Sequence, residues 1–378
     1  MDFTAHNAMV ASLWEAYAAR TNDRVPFTFM IDEQYRLPRY GCSYRDYYHS
    51  GALQLEAQLA TEKLWRETVA HDREMGPPSA AWTVSPQYWM AEREYFGARV
   101  HFQENDYAWA QPLELSKAGL VERVSGVDPA TRVGEERLWA LYSEMKGRAE
   151  GREYAGRPVQ VGQGVGTHGV FTIAAELRGL EQMCLDLIED PVWADEYLAA
   201  LTEALIGRML AWNEALGSPV TYPTEGLWGG PEDSLQLLSE GRCREQVLPH
   251  LRRMYDRMSR GRRLIHLCGK SHQHYKTLHE ELGITVFDGP GVYTDIGWMR
   301  EQCAGPIEVN AQFNNTVLVT GPPEAMEREI ARVLSPSAKR GRLNLIGYVP
   351  LGATAENLRL AYEYGKKYGV VEDQGGVN

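Results

Sequence analysis

The chain has 378 residues, 44% hydrophobic and 24% charged, an ordinary balance for a soluble globular protein with a sizeable core. Its formal net charge of −12, with no basic block to offset it, argues against a nucleic-acid partner. The five cysteines (Cys42, Cys184, Cys243, Cys268, Cys303) are scattered and odd in number, which argues against a disulfide framework. With no signal peptide and no apolar run of membrane-spanning length to be read, a cytoplasmic protein is expected.

Residues 1–25 read as an N-terminal helical extension, with Met9, Val10, Leu13, Trp14 and Tyr17 at helical spacing. Pro26 to Ile31 reads as a first strand that delivers Asp32-Glu33-Gln34-Tyr35 to its C-terminal end. Parallel α/β folds gather their chemistry at that edge, so Asp32 and Tyr35 are candidate catalytic residues. A helix from Ala52 to about His71 follows. The 77–158 segment reads as an insert or lid and is rich in aromatics, among them Trp82, Tyr88, Trp89, Tyr107 and Trp109. Such rings either line a pocket for a flat ligand or pack the insert against the main body.

Gly164-Val165-Gly166-Thr167-His168-Gly169 matches the G-x-G-x-x-G pattern of a dinucleotide-binding turn. That motif needs an acidic residue ending a second strand roughly twenty residues on, and Met183 to Asp190 is helical in pattern instead. Close backbone approach is the better account of these glycines. Asp190-Pro191 starts a long helix, with Asp as N-cap and Pro in the first turn, running to about Gly217. Val220-Thr221-Tyr222 is then a candidate strand that brings Glu225 to the functional edge.

Arg263 to Cys268 is short, apolar and closed by Gly269, and reads as a buried strand. His266 and Cys268, two apart, project from one face of it. An imidazole and a thiolate side by side suit zinc. Ser271 to Leu282 reads as a helix ended by Gly283, and Ile284 to Phe287 as the next strand, with Asp288 at its end. His266, Cys268 and Asp288 therefore form a candidate catalytic metal site, three protein ligands with a fourth position open. Ile307 to Asn310 and Leu343 to Gly347 read as further strands. Strand and helix alternate throughout, and a single (β/α)8 barrel over 26–378 is the economical reading.

Gly169-Val170-Phe171-Thr172 with Leu177-Arg178-Gly179, Asp190-Pro191, Pro249-His250-Leu251, His266-Leu267-Cys268-Gly269, Gly321-Pro322-Pro323-Glu324 and Glu356-Asn357-Leu358 together resemble the uroporphyrinogen decarboxylase superfamily, in the same order, over Pro26 to Tyr368. The resemblance implies a (β/α)8 TIM-type barrel with its site at the C-terminal ends of the strands. True decarboxylases carry an early Arg-Gln-Ala-Gly-Arg segment that grips substrate carboxylates, and here Asp32-Glu33-Gln34-Tyr35-Arg36 stands in its place. The chain is more similar to the zinc-dependent methyltransferase branch, in which His-x-Cys binds metal and a separate protein carries a corrinoid. Those members usually add a cysteine shortly before Glu-Asn-Leu, a place taken here by Gly347-Tyr348.

An acidic ligand from the strand after His-x-Cys resembles the cobalamin-independent methionine synthases, which supports Asp288. Glu225 and Glu308 are reserve ligands or acid/base groups, and Cys303 is a weaker candidate. The resemblance implies methyl transfer from a methylated small molecule to the cobalt of a corrinoid protein, with a methoxy-arene favoured over methanol or a methylamine. Glu225 would donate the proton to the leaving group. The alternatives are methyl transfer from a corrinoid to a thiol or tetrahydrofolate, a metal-free decarboxylation, and a non-catalytic metal-binding protein.

Overall fold

The computed structural model describes residues 2–163, 165–303 and 305–371. Eight strands that follow one another with helical crossovers run parallel: β1 (Phe27–Met30), β2 (Trp82–Val84), β3 (Arg157–Val161), β4 (Trp228–Pro231), β5 (Arg263–His266), β6 (Ile284–Asp288), β7 (Glu308–Gln312) and β8 (Arg342–Tyr348). Six of them form one parallel sheet in the order β1-β8-β7-β6-β5-β4. β2 and β3 pair with each other, in parallel, in a second small sheet that a short strand (Glu153–Tyr154) extends. The fold is a TIM-type α/β barrel in which, among the described residues, no strand ladder joins the two sheets, so the ring of hydrogen bonds is not closed.

Local chemistry explains most of the elements. Asp190 caps the long helix Pro191–Ala215 by accepting from Trp193 N at 3.3 Å, with proline at the first helical position. One face of this helix buries Tyr197, Leu201, Leu205, Met209 and Trp212, which fixes it against the core at about 1.5–3 kcal/mol per large apolar side chain. Gly283, in the left-handed region, ends the helix Tyr275–Leu282 and turns the chain into β6. The layer between β1 and the helices is aromatic: Phe27 meets Phe29 and Phe313 at ring separations of 4.8 and 5.7 Å, and packs on Tyr362 of the helix Ala355–Gly369.

The strand before the His-x-Cys strand is not Val220-Thr221-Tyr222. It is β4, Trp228-Gly229-Gly230-Pro231. Its glycines follow from close backbone approach on two sides: a Cβ on Gly229 would lie 1.8 Å from the Leu264 carbonyl oxygen of β5, and one on Gly230 2.3 Å from the Thr167 carbonyl oxygen. The helix Phe3–Ala19 lies across the N-terminal edge of the barrel, where Tyr17 donates to Glu308 at 3.2 Å and Arg342 donates to the Ala18 carbonyl at 2.6 Å. The 77–158 stretch contains β2 and runs into β3, with the helices Ala91–Tyr95, Lys117–Ser125 and Arg137–Ala149 between them. Among the described residues no helix is long and apolar enough to cross a membrane.

Candidate metal centre

Strand register assembles the site. At the C-terminal edge Pro231 stands opposite His266, His266 opposite Asp288, and Asp288 opposite Asn310. Four consecutive strands thus place functional residues at one level of one edge. His266 Nδ1 lies 2.7 Å from Oδ2 of Asp288, and its Nε2 lies 3.1 Å from Cys268 Sγ. Asn310 Nδ2 donates to the other Asp288 oxygen at 2.9 Å.

The third group beside Nε2 is Asp233, at the start of the turn after β4. Its Oδ1 is 3.9 Å from His266 Nε2, and it accepts the Cys268 backbone N–H at 2.8 Å. One ligand atom from each of Asp233, His266 and Cys268 lies within 4.8 Å of the other two. A tetrahedral zinc with bonds of about 2.0–2.3 Å holds its ligands about 3.3–3.8 Å apart, so this donor set fits. One sulfur, one nitrogen and one oxygen suit zinc better than a hard cation.

In this metal-free arrangement Asp233, and not the Asp288 expected from the sequence, shares the Nε2 side of His266 with Cys268. His266 and Cys268 stand together, but Asp288 sits behind the imidazole, on Nδ1, while the face toward Cys268 belongs to Nε2. A carboxylate on that nitrogen is placed to fix the histidine tautomer and ring orientation. Burial alone would lower the His266 pKa, but the hydrogen bonds to Asp288 and Cys268 outweigh it and hold the metal-free ring up at about 10. A metal on Nε2 takes the place of that proton.

Glu225 is not at this edge. It precedes β4, and its neighbour Thr224 bridges to Ser259, ahead of β5, at the opposite end of the barrel. The apolar run Val220 to Tyr222 drew the strand one turn too early, and with it the residue that followed. Glu308 is also at the far edge: it begins β7 and is held by Arg262 at 2.6 Å and by Tyr17. Cys303 is buried, its thiol near the Tyr275 carbonyl and pushed up to about 11 by burial, an inert core sulfur. Tyr35 is a core residue, 3% exposed, edge-on to Trp65 and covered by the Arg39 guanidinium 3.7 Å from its ring centre.

Asp32 does reach the functional edge. It caps the helix Glu33–Tyr40 by accepting from Gln34 N at 2.9 Å and accepts the Tyr107 hydroxyl at 3.0 Å. The next residue, Glu33, is fully buried and accepts the Trp89 indole N–H at 3.0 Å, and burial pushes its carboxyl up to about 7. Two aromatics of the 77–158 stretch thus lean on the end of β1, and half of Trp89 remains exposed. Tyr348, at the end of β8 and opposite Met30 of β1, feels the metal-site acids from the other side. Burial, then the negative charges of Asp288, Cys268, Asp32 and Asp233, raise its phenol well above the usual tyrosine range, so it is a hydroxyl donor. Asp233 and Tyr348 are the site residues that sequence reasoning missed. The one signal for Asp233 was an acidic pair, Glu232-Asp233, directly after a Gly-Gly-Pro run.

The glycine-rich turn has its own explanation. Gly164 lies outside the described residues, but Gly169 precedes the helix Val170–Arg178, whose N-terminal N–H groups are taken by Glu232. The buried Glu232 carboxylate accepts from Thr172 N at 2.6 Å and from the Thr172 hydroxyl at 2.7 Å. A Cβ on Gly169 would lie 1.7 Å from a Glu232 oxygen. A helix start of this kind attracts acidic groups, and here the chain supplies its own carboxyl, which burial pushes up to about 7.

No known protein-family profile and no curated protein matches this sequence. Among solved structures, a methyltransferase from Methanosarcina mazei superposes with a TM-score of 0.64 at 14% identity, over 95% of this chain and 98% of that one. A B12-independent methionine synthase from Shewanella sp. W3-18-1 gives a TM-score of 0.32 at 10% identity, over 73% of this chain and 74% of that one, a likeness too slight to bear weight. The first likeness is one of fold. Fold and site together define the class: a TIM-type barrel with a candidate Asp-His-Cys metal centre on the C-terminal edge of its strands.

Proposed function

We propose that the chain is a zinc-dependent methyltransferase that moves a methyl group from a methylated small molecule to the cobalt of a corrinoid carried by a partner protein, in the cytoplasm. The observation that carries the reading is the Asp233-His266-Cys268 group, with Asp288 and Asn310 behind the imidazole. The fold likeness to the Methanosarcina methyltransferase supports it, as does the sequence resemblance around His266-Leu267-Cys268-Gly269. The metal, held by Asp233, His266 and Cys268, would supply Lewis acidity to the oxygen or nitrogen that carries the methyl group. A set with a single sulfur leaves the metal more electrophilic than a multi-thiolate set, which favours demethylation over thiol activation.

The chain's own groups do the positioning. Asp288 fixes His266, Asn310 fixes Asp288, and the Tyr348 hydroxyl can donate toward a substrate oxygen. Half-exposed Trp89, at the end of β1, offers a face to a flat donor. A methoxy-arene is therefore favoured, with methanol or a methylamine behind it.

Two measurements test the proposal: metal content of protein purified without added metal, and methylcobalamin formed from cob(I)alamin with a methoxybenzene, methanol or monomethylamine as donor. About one zinc per chain and formation of methylcobalamin are expected. A chain that takes up no zinc even on reconstitution would sink the reading.

A further inference from the structure

With Glu225 at the wrong edge, the leaving group has no proton donor among the residues expected from sequence. Demethylation needs one, because the atom that loses its methyl keeps the bonding pair. His168 stands in the loop after β3, on the same edge as the metal centre. The adjacent Gly169 N–H donates to the Pro231 carbonyl at 2.7 Å, and Pro231 is the residue opposite His266. His168 is therefore two strands along from His266, on the rim of one mouth.

Its ring is held as an acid–base histidine must be. Nδ1 lies 3.0 Å from Oε1 of Glu92, and that same oxygen accepts the His168 backbone N–H at 2.9 Å. The Glu92 side chain is 5% exposed and that of His168 17%. Among the described residues Nε2 has no hydrogen-bond partner. The charges facing this pair come from several elements. Arg93 has Nη1 3.0 Å from His168 Nδ1 and 3.3 Å from a Glu92 oxygen, and its Nε binds Glu176. Arg208 acts on Glu92 from the long helix and is itself held by Glu136 at 2.6 Å. Glu92 thus faces His168, Arg93 and Arg208 together, and these cations hold its carboxyl well below the usual carboxylate range.

We propose that His168, positioned by Glu92, is the general acid that protonates the leaving oxygen or nitrogen through Nε2. The proposal rests on the methyl-transfer reading. The bonds balance as follows: the electron pair of a Co(I) corrinoid attacks the methyl carbon and forms the Co–C bond, raising the cobalt to Co(III). The C–O or C–N bond breaks with its pair going to the heteroatom. The Nε2 proton moves to that atom, and the neutral ring keeps Nδ1–H toward Glu92.

The test uses the full chain loaded with zinc, free cob(I)alamin as acceptor, and two donors, anisole and 4-nitroanisole. His168→Gln should keep its zinc and slow transfer from anisole about 10²–10⁴-fold. Transfer from 4-nitroanisole should fall far less, because nitrophenolate leaves without help. The limb of the pH–rate profile that falls as the acid deprotonates should vanish. Glu92→Gln, which removes the anion at Nδ1, should move that limb to lower pH, and it serves if His168→Gln does not fold. Equal losses with both donors, or an unmoved limb in either variant, would overturn the assignment to His168 while leaving the methyltransferase reading intact. A wild-type chain that methylates no cob(I)alamin from either donor overturns both.

Discussion

Asp288→Asn and Asp233→Ala should part company in metal binding. Asp288 touches only Nδ1 of His266, at 2.7 Å, whereas Asp233 faces the Nε2 and Sγ side. Replacing a carboxylate that orients a metal-bound histidine costs 10–100-fold in affinity, which is about 1.4–2.7 kcal/mol. In Asp288→Asn the new amide oxygen can still accept from Nδ1–H, so the loss should sit at the low end. Removing Asp233 leaves two protein ligands and removes a negative charge from a site with few compensating groups, so stoichiometric zinc should be lost, as in Cys268→Ala. The assay is competition with a chromophoric chelator at fixed pH, with zinc per chain by elemental analysis. Asp288→Asn that loses zinc outright, beside an Asp233→Ala that binds like wild type, would make Asp288 the ligand and refute the placement of Asp233.

The same geometry sets four smaller expectations. Tyr35→Phe and Glu225→Gln should leave zinc content and methyl transfer unchanged, while Tyr35→Ala should cost about 3–5 kcal/mol in a urea titration as a large-to-small core substitution. Buried Glu33 contributes stability that is lost as pH rises from about 4.5 to about 7, because in the native state it holds a proton that the unfolded chain has released, while buried His71, pushed down to about 3, contributes with the opposite sign. Stability of Glu33→Gln relative to wild type should therefore rise with pH across that window, Glu232 staying in both with the same sign as Glu33, and a difference that does not change with pH counts against a protonated Glu33. Gly169→Ala drives a methyl group into Glu232, so a loss of about 1–3 kcal/mol is expected, smaller in a Glu232→Ala background. Asn310→Ala should weaken zinc in the wild type but add nothing to Asp288→Asn, since its contact runs through the Asp288 carboxylate.

The barrel was legible where a strand is apolar and its helix is capped. Pro26 to Ile31 foretold Phe27–Met30, and Leu343 to Gly347 foretold Arg342–Tyr348, to within a residue or two. Asp190-Pro191 foretold the start of the long helix through the rigid proline φ and the capping carboxylate. β4 was illegible because its packing demands the opposite of a strand pattern. Where β5 and the Thr167 backbone close on it, side chains do not fit, so the sequence is Trp-Gly-Gly-Pro and no alternation exists to be read. β3 fails for a different reason: Arg157, Pro158 and Gln160 are exposed, so Val159 is its one fully buried side chain and no run of apolar residues marks it.

Site residues inherit the fate of their strands. His266, Cys268 and Asp288 were found together because β5 and β6 are both apolar and a glycine-capped helix fixes the connection between them. Asp233 hides behind β4 and Glu225 was promoted in its place, one misplaced strand exchanging the two ends of the barrel. Sequence spacing could set His266 beside Asp288 but could not say which ring nitrogen each acid would meet. That is decided by register. Asp288 lies directly opposite His266 and so meets the near nitrogen, whereas Asp233, two residues past Pro231 on the other neighbour, reaches round to the far one. A ligand set and its supporting shell can therefore share residue types, and only the pairing of the strands tells them apart.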